Sequence, residues 1–477
     1  MNWTRTEQAG HAVYSRPTWA KEKFYYSMAK HQRGLANFTV QATVKTSGWA
    51  WSSPQFEWRL KSACTLTAGS YPLLLVHTVP EGAVAQIVYT HPHDWDEAYN
   101  VMCPRVTRVE TSDNEEFLEV ILTSEAAQLP TIRIFWTYLG GGEYAVALAS
   151  PHCLLDAKRA MTILHNILKN LSTGLEETRP SDWSRIAQSS VDLLPPPLEL
   201  VRARPPVSPE TLGRCMDQWK KNTASKTNWI LPPKSKVPSA EGTTRRFLYT
   251  FSEEDSTALF KKHKSLGVTN YTVLQAALWL ATVILNPPTP EDFATQHCSA
   301  LVMVDAAGEI LPEWKERYNG CCLGDLSLSV PLEMAAQRDP GMALKQMMAK
   351  ITEDMKFWRE SKALMDIVKL TAEGGSTWCG VAASKGIPLA NGLSTNVGVV
   401  DSVIARSHGS KASPYAVEIT DVGASGRISE PQYFTRAWTF NGKYTLQVNY
   451  NDHYHEPALI EEFLSTTAAI MRSTLDL

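Results

Sequence analysis

The stretch from Thr131 to Leu171 constrains this chain more than any other part of it. An apolar segment, Thr131 to Leu139, runs into Gly140-Gly141-Gly142, and a second, Tyr144 to Ser150, follows. Two apolar runs of strand length around a glycine turn read as a buried hairpin. After Asp156, residues Ala160, Ile163, Leu164, Ile167, Leu168 and Leu171 recur at three- and four-residue spacing, the stripe of an amphipathic helix. Between hairpin and helix stands Pro151-His152-Cys153-Leu154-Leu155-Asp156. A rigid strand end holds a side chain more accurately than a free loop does, so chemistry is expected at this junction.

The 477 residues exceed one ordinary hydrophobic core, so two or three domains are expected. A formal charge of −3 offers no basic excess for nucleic acid or anionic membrane. No run approaches the roughly 18 to 20 apolar residues of a membrane helix. Met1 to Gly10 lack the order of a secretory signal. Eight cysteines are scattered without a CxxC pair, which reads as reduced thiols in a cytoplasmic protein.

Residues 1 to 50 give no clear element. Phe56 to Leu75 mixes helical spacing with an apolar finish; Ala83 to Thr90 and Phe117 to Thr123 read as strands, the latter with Leu118, Val120 and Leu122 on one face. With the hairpin and helix these make an N-terminal α/β domain, 1–180. The prolines from Pro195-Pro196-Pro197 to Pro238 mark a long crossover, 181–240, laid over the surface, in which only Pro209 to Lys220 has helical character. A second α/β domain, 241–477, opens with the strand-like Arg246 to Phe251. Ser252 with its acidic followers starts a helix that Gly267 closes, and Thr269 or Asn270 caps a buried one, Val273 to Ile284. Ala300 to Val304 is a further strand and Met342 to Trp358 an amphipathic helix. Strands at Thr395 to Ile404, Tyr433 to Phe440 and Tyr444 to Tyr450 follow, the last two joined by the hairpin signal Asn441-Gly442, before a closing helix, Pro457 to Ile470.

His152 and Asp156 form an HxxxD pair, a weak signal by itself. One reading is a helix-start histidine, with Asp156 serving the first turn. The other makes His152 a general base that takes a hydroxyl or amine proton as that group attacks a carbonyl, with Asp156 fixing the loop or the ring. His91 with His93, and His453 with His455, are HxH pairs that would point the same way on a strand. They lack acidic or cysteine partners at ligand spacing, and no metal site is expected. Cys153 adjoins His152 but points oppositely if both lie on a strand. No GxSxG, GxGxxG or P-loop occurs.

The order strand, HxxxD, helix resembles the chloramphenicol acetyltransferase-like superfamily, which includes BAHD-type O-acyltransferases and the condensation domains of peptide synthetases. Phe247 to Leu285, with Gly267-Val268-Thr269 and Ala276-Ala277, is similar to the superfamily's strand, helix, turn and Ala-rich helix. Val302-Met303-Val304-Asp305 followed by Tyr318-Asn319-Gly320, and the C-terminal hairpin and helix, agree with it too. Ser394-Thr395-Asn396-Val397-Gly398 resembles the fungal trichothecene 15-O-acetyltransferase type.

The resemblance implies two mixed-sheet α/β domains joined by the Pro-rich crossover. It also implies a monomer with no bound cofactor and an acyl-CoA, acetyl-CoA above all, as co-substrate. The acceptor would be a small-molecule alcohol, a secondary metabolite entering a channel opposite the donor. His152 would be the general base in direct attack on the thioester, without an acyl-enzyme. Ser394, Thr395 and the backbone near Asn396 would serve the oxyanion. Three features depart from the superfamily. Ala157 stands where glycine is usual, Asn396 to Asp401 replaces DFGWG, and the arginine that holds the aspartate has only Arg317 and Arg406 as candidates. They leave open a same-fold enzyme of cyclisation, condensation or dehydration, and a non-catalytic ligand-binding relative.

Overall fold

The structure is a computed structural model describing residues 3–46, 52–82, 84–125, 129–173, 183, 190–223, 227–235, 237, 239, 241–387, 392–410 and 413–477. Its strands form three sheets. A four-stranded sheet runs in the order Thr4–Gln8, His11–Pro17, Val84–Thr90, His77–Glu81. A six-stranded sheet runs Ser407–His408, Val417–Gly426, Phe38–Thr46, Glu143–Ser150, Arg133–Gly140, Val106–Arg108. The third is seven-stranded and runs Thr244–Thr250, Lys443–Asn451, Tyr433–Phe440, Gly392–Val399, Gln296–Asp305, Leu323–Pro331, with Thr227–Asn228 paired to Gln296–Asp305.

The hairpin Arg133–Gly140/Glu143–Ser150 is antiparallel, and its turn holds Gly140, Gly141 and Gly142 at φ of 100°, 59° and 81°. Three successive residues in left-handed backbone need glycine. The chain then turns through Pro151 to Asp156 into helix Ala157–Leu171, whose stripe from Ala160 to Leu171 is buried against the six-stranded sheet and helix Ser53–Ser70. In the second half, helix Asn270–Leu285 is buried on nearly every side and packs against helices Pro340–Ser361 and Pro457–Ser473. Asn441 and Gly442 take φ of 50° and 74°, the paired left-handed values of a two-residue hairpin turn.

The two halves are not separate in space. Val417–Gly426, from the C-terminal half, pairs antiparallel with Phe38–Thr46 and so joins the N-terminal six-stranded sheet. The crossover also goes inside: Leu194 to Leu198 are buried, and the Pro195 carbonyl accepts hydrogen bonds from Trp3 Nε1 (3.1 Å) and Arg16 Nε (3.2 Å). The expectation of a segment lying only on the surface is thereby corrected; its helix is Pro209–Thr223. The boundary expected at residue 180 lies outside the described residues.

Further differences have local causes. The segment expected as a strand at Phe117 to Thr123 is helix Asn114–Val120 continued by a wider turn, Ile121–Glu125. Asp113 caps it by accepting from the Glu115 and Glu116 amides, and Phe117, Leu118, Ile121 and Leu122 share a buried helical face. Thr395 to Ile404 is strand only as far as Val399; a short 3₁₀ turn, Val400–Ser402, follows. The unassigned lead-in contains two strands, helix Lys21–His31 and the central strand Phe38–Thr46. Among the described residues no single helix is long and apolar enough to cross a membrane.

Candidate active site

His152 sits on the turn between strand Glu143–Ser150 and helix Ala157–Leu171. Its Nδ1 lies 2.9 Å from the Leu155 carbonyl oxygen. A carbonyl only accepts, so Nδ1 carries the proton and Nε2 is left as the basic nitrogen. The ring stacks on Tyr25 at 3.9 Å, tilted by 3°, and meets Phe38 at 4.8 Å. Burial, then the cations Arg436 and Lys21, hold its pKa down to about 3. The imidazole is therefore neutral at neutral pH.

Asp156 does not touch His152. It caps the helix: Oδ1 accepts from the Arg159 amide at 3.0 Å, and Oδ2 accepts from the Cys322 amide of the second half at 2.9 Å. Its arginine is Arg159, one turn along the same helix, with Nη1 3.4 Å from Oδ2. Neither of the expected arginines serves: Arg317 lies over the Trp314 ring and Arg406 pairs with Asp401. Helical i,i+3 spacing puts Arg159 on the same face as the cap, a local solution that a search for a distant arginine overlooks. Arg159 Nη1 and Lys158 Nζ also reach Asp305 of the second half, each at 2.8 Å.

His152, Asp156, Thr395 and Asn396 line one cavity of about 120 Å³, together with Met303, Asp305 and Arg436. Ser394 faces elsewhere: its hydroxyl bonds the Tyr271 hydroxyl at 2.8 Å and Gln275 Oε1, in a neighbouring pocket that excludes His152. Successive strand residues point to opposite faces, so Ser394 and Thr395 part company. The Asn396 amide is already engaged, donating to the Tyr444 hydroxyl at 3.2 Å and accepting from Gly398 N at 3.0 Å. A second cavity of about 640 Å³ is lined by Tyr25, Pro151 and Cys153 and by the cations Lys30, Arg33 and Arg427. Tyr25 thus walls one cavity and His152 the other.

Tyr25, Lys21 and Arg436 are site residues that the HxxxD pattern does not reveal, because they come from an N-terminal helix and a C-terminal strand. Lys21 forms a buried ion pair with Asp325 that bridges the halves. Arg436 is buried, and burial lowers its pKa to about 9.

Cys153 is buried and its thiol is pushed up to about 12, an unreactive state. His453 and His455 do not converge: His453 faces Glu241, and His455 Nε2 bonds the Pro431 carbonyl. Among the described residues, His11, His93 and Glu97 bring their ligand atoms within 4.8 Å of one another, on the four-stranded sheet and the start of helix Trp95–Met102.

No family model and no curated protein matches this sequence. Solved structures do. The trichothecene 15-O-acetyltransferase from Fusarium sporotrichioides superposes with a TM-score of 0.85 at 15% identity, over 99% of this chain and 97% of that one. The cyclization-docking bidomain from Sorangium cellulosum gives a TM-score of 0.59 at 15% identity, covering 97% and 85%. The starter condensation domain of rhizomide synthetase, in complex with C8-CoA, gives 0.59 at 9% identity, covering 96% and 94%. The chain has the two-part mixed α/β fold of this class of solved structures. Within that class the acetyltransferase matches it over nearly the full length of both chains.

Proposed function

We propose that this protein is an acyl-CoA-dependent O-acyltransferase acting on a hydroxyl of an apolar small molecule, with His152 as general base. One observation carries the reading: a neutral histidine of fixed tautomer lines a small, mainly apolar cavity and stacks on Tyr25, which lines a larger one with three cations in its wall. The basic cavity suits the phosphates of CoA; the smaller suits the acceptor. Nε2 takes the hydroxyl proton as the oxygen attacks the thioester carbon. The carbonyl oxygen becomes an oxyanion, to which the Thr395 hydroxyl, from the wall of the His152 cavity, would donate. Collapse expels the CoA thiolate, which takes the proton back from the imidazolium. Asp156 holds the turn and need not touch substrate.

The chain's likeness in fold to a solved acetyltransferase supports this reading. Incubation with a panel of acyl-CoAs and apolar alcohols, read by mass spectrometry, tests it. The expected product is an ester with equimolar free CoA, and its absence with every donor contradicts the reading.

A further inference from the structure

Arg436 is the cation this site leaves unpaired. Lys158 and Arg159 share Asp305, and Lys21 has Asp325. Arg436 has no carboxylate partner among the described residues. Its hydrogen bonds all leave from Nη1, to Asn449 Oδ1 at 2.6 Å and, at 3.5 Å, to the Ala424 carbonyl, while Nε and Nη2 donate to nothing described. The guanidinium rests 4.1 Å from the Phe434 ring centroid and lines the His152 cavity. Room for it is built in: a Cβ on Gly426 would stand 2.8 Å from Nη2. An enclosed guanidinium is costly unless something answers its charge.

We propose that Arg436 is the recognition site for a single carboxylate on an otherwise apolar reacting molecule. The cavity wall carries three cations, Lys158, Arg159 and Arg436, against two carboxylates, Asp156 and Asp305, so it is one negative charge short. That deficit fits a monoanion, which excludes a phosphate dianion, and the planar fork suits the two oxygens of a carboxylate. The carboxylate belongs either to the acceptor or to the acyl group of a dicarboxylic donor. A bound anion also offsets the field by which Arg436 depresses His152, so binding of the right molecule strengthens the base. The proposal rests on the acyl-transfer reading only in calling the occupant a substrate.

The test measures binding and needs no turnover, so it stands or falls apart from the transferase reading. Thermal unfolding of the full chain and of Arg436→Met is followed with acetate, benzoate and methyl benzoate. The wild type is expected to gain stability saturably from the carboxylates and not from the ester, with affinity weakened about tenfold or more in the variant. Without ligand, Arg436→Met should melt no lower than wild type, because it removes an unanswered buried charge. Equal carboxylate stabilisation of both proteins, none in the wild type, or a variant that melts lower by itself overturns the proposal. Malonyl-CoA is then compared with acetyl-CoA: tighter malonyl-CoA binding that depends on Arg436 assigns the carboxylate to the donor, and equal binding assigns it to the acceptor.

Discussion

His152 gains its chemistry from three residues far away in the chain. Leu155 fixes its tautomer locally, but Tyr25 covers its face, and Lys21 and Arg436 weaken its affinity for a proton. A histidine whose pKa falls from 6.5 to about 3 on folding stays neutral in the folded state, while the unfolded chain takes up a proton. Stability from this residue is present above the unfolded value and is lost as pH falls from 6.5 toward 3. His408, lowered to about 4 by burial and its neighbours His165 and Lys169, acts in the same direction. Urea midpoints measured across this range should fall with acid, and less steeply in His152→Gln; identical slopes would contradict the assigned environment. The histidine and its helix cap were legible in the sequence because the strand, turn and helix around them are contiguous. Arg436 and Tyr25 were not, because nothing local distinguishes them from other aromatic and basic positions.

At the scale of elements, the site is held shut across the two halves by ion pairs and a capping carboxylate. The first turn of helix Ala157–Leu171 grips Cys322 and Asp305, and helix Lys21–His31 grips strand Leu323–Pro331 through Lys21 and Asp325. Lys21→Met leaves the Asp325 carboxylate buried without its partner, which should cost about 3–5 kcal/mol in a denaturant titration, and Asp325→Asn in the same chain should recover part of it. No loss in the single variant would show that the pair is not sealed from water. Periodicity gave the hairpin, the buried helix Asn270–Leu285 and the Asn441-Gly442 turn, because each has a local signal. It failed at Asn114–Val120, where Leu118, Val120 and Leu122 alternate by chance and the cap at Asp113 decides for helix.

The whole molecule is organised by an exchange that no local pattern announces. Strand Val417–Gly426 crosses into the N-terminal sheet, so the halves share a sheet and the cavities at their junction have walls from both. The general plan, two mixed-sheet halves with a long connection, was legible from the order of elements; the exchange and the burial of the crossover were not, because they depend on long-range pairing. In the Tyr25–His152 stack each ring lines a different cavity. If the partners of a transfer reaction meet there, the imidazole is indispensable to the step while the fold is indifferent to it. The decisive measurement is the rate of acceptor-dependent CoA release by His152→Ala against wild type, with unfolding midpoints recorded alongside. A fall in turnover of about 10² or more in a protein that melts like the wild type is the expected result, and full activity in the folded variant would contradict His152 as the base.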